Sequence, residues 1–150
     1  VNGSEADMTA PRGRPAGVSA ANQITSRNRG HRVQNVIDEL NLYVRGWLNY
    51  FKLSSTYSEV LELSVWVRRR VRLYYWKQWK QPRTRRRHLL ALGVSPDRVH
   101  MATRSRKGYW RMSQNSLVRM ALSNRWMEEH GVPDMRAIWI VLHFGPKARV

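Results

Sequence analysis

Residues 59–80 read EVLELSVWVRRRVRLYYWKQWK, and this stretch limits the fold more than any other. On a helix at about 100° per residue, Val60, Leu63, Val67, Val71 and Tyr74 share one face. The rest of the circumference carries Arg68, Arg69, Arg72, Lys77 and Lys80, interleaved with Trp76 and Trp79. Guanidinium groups meet phosphate oxygens bidentately and indole rings offer stacking surface, so the expectation is a helix whose arginine side lies in water along a polyanion.

A second long helix precedes it. Val33, Val36, Ile37, Leu40, Val44, Trp47, Leu48 and Phe51 fall on one apolar arc over 31–52, opposite Asp38, Asn41, Arg45, Asn49 and Lys52. Gly46 in its middle costs about 1 kcal/mol relative to Ala, so close approach of another backbone or of RNA is expected there. Thr56 or Ser58 caps the next helix. Gln81-Pro82 ends the central helix, and a short helix follows with Leu89, Leu90 and Leu92 inward and Gly93 as its C-terminal stop. Residues 94–112 show no clear period and read as a loop, with extended pairing around Tyr109 to Met112 left open. Residues 113–130 read as a third main helix with Leu117, Met120, Ala121 and Met127 inward, and IWIVLHF near the end is a short buried helix or a strand. Residues 1–23 are rich in Gly, Ala, Ser and Pro and read as a disordered lead-in. The fold expected over 24–150 is all-α, a small bundle of three main helices plus short ones.

Charge then narrows the partners. Lys and Arg number 27 against 10 Asp and Glu, giving +17 over 150 residues. A field of that strength favours nucleic acid or an anionic membrane surface. There are no cysteines, which excludes a disulfide scaffold and thiol chemistry. With no apolar run of about 20 residues and no signal-like N-terminus, an intracellular protein is expected, in a bacterial or organellar interior. His31, His88, His100, His130 and His143 lack ligand spacing, and no Gly-rich phosphate loop is present, so neither a metal site nor catalysis is expected.

Arg83, Arg85, Arg86 and Arg87 read either as a solvated basic turn or as an extension of the cationic face. Trp76 and Trp79 fit an inter-helix role about as well as an RNA one, and Trp110 fits both. A basic membrane-surface protein is the competing reading, since basic helices with Trp also lie at bilayer interfaces.

Three segments in order, RGWLNYF at 45–51, WVRRRVRLYYWKQWKQPRTRRRHLLALG at 66–93 and RKGYWRMS at 106–113, resemble the maturase-specific region (domain X) of group II intron-encoded reverse transcriptases. The resemblance implies a helical thumb that grips intron RNA, helps it fold for splicing, and holds template and primer in reverse transcription. It points to Arg45, Trp47, Asn49 and Tyr50, to the cationic face from Arg68 to Lys80, and to Lys107, Tyr109, Trp110 and Arg111. Trp47 lies on the apolar arc and is assigned to the core; the expected RNA-binding set is Arg45, Asn49, Arg68, Arg69, Arg72, Trp76, Lys77, Trp79, Lys80, Arg83, Arg85, Arg86, Arg87, Arg106, Lys107, Tyr109, Trp110 and Arg111. No Tyr-Ala-Asp-Asp signature or other palm motif occurs, so the resemblance implies no polymerase activity for this chain and leaves magnesium to a fingers–palm polypeptide as partner. No small-molecule substrate is implied. A split enzyme and a non-autonomous remnant both fit.

Overall fold

The computed structural model describes residues 17–26, 30–53 and 56–146, with side chains from residue 21 onward. Among them there are helices and no strand, as the periodicity predicts. The apolar arc of α2 (Val33–Phe51) buries Val33, Val36, Ile37, Leu40, Val44 and Leu48. Helix α3 (Tyr57–Gln78) opens with a capping box: Thr56 Oγ1 accepts from the Glu59 N–H, and the Glu59 carboxylate accepts from the Thr56 N–H at 2.8 Å. The two helices run antiparallel. Near the end of α3, the Tyr74 hydroxyl and the Gln78 amide donate to the His31 carbonyl, just ahead of α2, at 2.6 and 2.7 Å.

The structure corrects several expectations around this pair. Residues 17–23 belong to α1 (Gly17–Ile24), which packs on α2 and places Ala21 in the core; residues 1–16 lie outside the described residues. The stretch expected as a loop holds α5 (Pro96–Thr103) and the single turn α6 (Tyr109–Met112). The expected third main helix is two short ones, α7 (Ser116–Ala121) and α8 (Asn124–Glu129), with Met120 exposed rather than inward. Their break has a local cause: Leu122 leaves helical geometry at ψ 62°, and the Ser123 hydroxyl then accepts from the Trp126 N–H.

The element that closes the bundle is α9 (Met135–Phe144), the IWIVLHF segment, capped by Asp134 and packed against both α2 and α3. Helix α4 (Pro82–Ala91) starts on Pro82 and ends at Gly93, whose φ of +87° suits glycine. Leu89 is buried and Leu92 packs on the core, whereas Leu90 points outward. One apolar cluster runs from Ala21 to Met135. Gly46 meets no close neighbour: a Cβ there would find nothing within 4 Å.

Candidate nucleic-acid interface

Helix α3 does not present an arginine face to water. From Trp66 to Trp76 every position is buried or half-buried, because α2, α6 and α9 pack on α3 and α8 reaches it through Glu128 and Trp126. Arg72 is 8 % exposed, Trp76 2 % and Trp79 6 %. The expectation that these three face a ligand is therefore corrected. An arginine buried on an apolar helix needs acceptors, and those of α3 find them on several different segments.

Arg68 reaches Glu128 at 3.4 Å and Asp134 at 3.7 Å. Arg69 donates to the Trp110 carbonyl at 3.2 Å and to Ser113 Oγ at 3.3 Å, and its guanidinium lies 3.4 Å over the Trp110 ring. Arg70 donates to the Thr25 carbonyl and hydroxyl, both at 3.1 Å. Arg72 donates from Nε to the Leu122 carbonyl at 3.0 Å and from Nη2 to Asn124 Oδ1 at 3.1 Å. Burial draws the Arg69 and Arg72 guanidiniums down to about 10, and for Arg72 the neighbouring Arg119 and Arg68 add to the effect. Both remain cations at neutral pH.

The aromatic residues next to them are engaged too. Arg85 donates to the Trp76 carbonyl at 3.2 Å, lies 4.5 Å over the Trp76 ring and 5.7 Å from Tyr109, and so ties α4 to α3 and α6. His88 stacks on Trp79 with centroids 4.6 Å apart and planes 8° from parallel. Burial and the charge of Arg87 hold the His88 imidazole below its ordinary range. Tyr109 and Trp110 are half-buried, as is Lys77.

What remains in water is a different surface. Lys80 at the exit of α3, Arg83, Arg86 and Arg87 on α4, and Arg106, Lys107 and Arg111 around α6 are exposed. To these the structure adds Arg98 and Arg104, on α5 and at its C-terminal cap, which sequence reasoning missed. The missed signal was Ser95-Pro96-Asp97, a helix start with Pro at the first position and an acid in the first turn. Asp97 is the sole carboxylate between Lys80 and Arg111. Helix α5 packs on α4, and Arg85 of α4 lies 5.7 Å from the Tyr109 ring of α6, so these exposed cations lie on adjoining elements, together termed the ridge. Arg45, Asn49 and Tyr50 are exposed on α2 and do not belong to this group, with Arg45 held by Asn41 at 2.7 Å. Trp47 is half-buried against the core. Among the described residues no group of His, Asp and Glu is placed to hold a metal, and no helix is long and apolar enough to cross a membrane.

Residues 20–93 match the family model of the group II intron, maturase-specific domain. Over that stretch the chain is similar to the group II intron maturase-specific domain. No curated protein matches it. The matched stretch runs from the middle of α1 through α4, so it contains all the arginines of α3 and four of the nine exposed cations of the ridge. The acceptors of Arg68, Arg69 and Arg72 lie beyond it, in α6 to α9 and the turns that join them.

Proposed function

We propose that this chain binds group II intron RNA and promotes its folding for splicing, and that it does so through the ridge of α4, α5 and α6 rather than through α3. The family ties the chain to group II intron splicing. The observation that carries the surface assignment is the contrast in partners. Arg83, Arg86 and Arg87 are exposed with no side-chain hydrogen bond or ion pair among the described residues, whereas each arginine from Arg68 to Arg70, and Arg72, is bonded to the protein. Arg83 stands three and four residues before Arg86 and Arg87, spacings that put Cβ atoms about 5–6 Å apart on a helix, so like charges repel there and a phosphate chain relieves the repulsion.

Contacts of this kind give affinity and position. No bond-forming chemistry is assigned to these residues; in the thumb reading, a fingers–palm polypeptide supplies the polymerase site and its magnesium. The test is a binding titration against a group II intron RNA at several salt concentrations. With about five phosphates engaged, log K falls with log salt at a slope near −3.5 to −4.5. An affinity indifferent to salt would rule the proposal out.

A further inference from the structure

The rings beneath the ridge indicate what kind of RNA it takes, an inference that rests on the RNA-binding reading above. Proteins that hold unpaired nucleotides stack the bases on open aromatic faces, at about 1–3 kcal/mol per base. Trp76 and Trp79 are almost wholly buried; Arg85 covers the first and His88 the second. Trp110 is half-buried with Arg69 on its ring. Among the described Trp, Tyr and Phe side chains those left well exposed are Tyr50 and Phe144, which belong to α2 and α9 and not to the ridge; of the imidazoles, His100 on α5 is exposed.

The ridge therefore offers charge and hydrogen-bond donors with no well-exposed Trp, Tyr or Phe ring; Tyr109 and Trp110 on α6 are half-buried. It is also stiff: Leu89 anchors α4 in the core and Arg85 fastens it to the Trp76 carbonyl. A rigid row of cations gains most from a rigid row of phosphates, because a flexible strand loses conformational entropy on being held and recovers none of it through its bases. A-form RNA presents such a row, with a major groove too deep and narrow for side chains to read. We infer that the ridge takes the sugar–phosphate backbone of double-helical RNA and leaves unpaired bases unread.

The test uses the full chain carrying Tyr50→Ala and Phe144→Ala, which removes the exposed rings outside the ridge, with helicity checked by circular dichroism. Fluorescence anisotropy measures binding of a labelled RNA duplex, an oligouridylate with the same number of phosphates, and an abasic ribose–phosphate chain of the same length. The duplex is expected to bind at least tenfold tighter than oligouridylate, and the abasic chain to match oligouridylate within threefold. Oligouridylate binding as tightly as the duplex, or a loss of more than threefold on removing its bases, would overturn the inference. Failure of all three to bind would instead overturn the RNA-binding reading on which it rests.

Discussion

Arg72 Nε donates to the carbonyl of Leu122 at 3.0 Å, at the point where α7 ends and the chain turns into α8. The same guanidinium reaches Asn124 Oδ1, so one buried side chain stabilises the junction of two short helices. Arg72→Ala strands the Leu122 carbonyl and is expected to cost about 1–3 kcal/mol, since a buried polar group loses its partner. Thermal unfolding followed by circular dichroism measures the loss. Unchanged stability would return Arg72 to the residues that can face a ligand.

The ridge is expected to behave in the opposite way. Replacing Arg83, Arg86 and Arg87 together with Ala should leave the melting curve nearly unmoved, within about 0.5 kcal/mol per site, because their side chains bond to nothing among the described residues. RNA affinity should fall, and the salt slope should shrink by about 1 for each phosphate that the variant no longer engages. An RNA titration of the triple variant at several salt concentrations reads both quantities at once.

Gly46 is exposed on the outer face of α2 with space around its α-carbon. Gly46→Ala should therefore raise stability by about 1 kcal/mol, the ordinary difference between the two residues inside a helix. Gly131 provides the control. Its φ is +88°, a backbone conformation L side chains rarely adopt, so Gly131→Ala should destabilise even though its Cβ would meet only an ordinary contact with Ile37 Cγ2 at 3.5 Å. Urea midpoints for the two variants should move in opposite directions.

His88 sets a pH dependence whose sign follows from its surroundings. Burial, and after it the charge of Arg87, holds its folded pKa below the unfolded value near 6.5. In the window between those two values the unfolded chain binds more protons, so stability present above about pH 6.5 is lost as the pH falls through the folded pKa. His88→Phe keeps a ring on Trp79 and removes the titration. Between about pH 7 and pH 5 the wild-type melting temperature should fall further than that of the variant.

Helices α2 and α3 were legible in the sequence, down to the Thr56 cap, because long apolar periods and capping residues are local signals. The exposure of α3 was not. Helical-wheel arithmetic assigns one face to the core, but VRLYYW places large apolar or aromatic groups all round the axis, the pattern of a helix with neighbours on every side. Arginine misleads here because its long stem can pack among apolar residues while its head satisfies carbonyls at the ends of other helices. The short helices α5 to α8 escaped because they are one or two turns long, too brief for periodicity, although Ser95-Pro96, Asn115 and Ser123 mark three of their starts.

The four stapled arginines of α3 also decide where this polypeptide can be cut. A fragment ended at Gly93, the edge of the family match, would keep Arg68, Arg69 and Arg72 but remove the oxygens they hold, together with α9, the helix that seals α2 against α3. Three guanidiniums would then sit on an apolar surface without the acceptors their N–H groups hold in the intact chain, and Arg68 would also lose its carboxylates. The boundary drawn by sequence likeness is thus shorter than the boundary drawn by cooperativity, and it is the longer piece, through α9, that holds together.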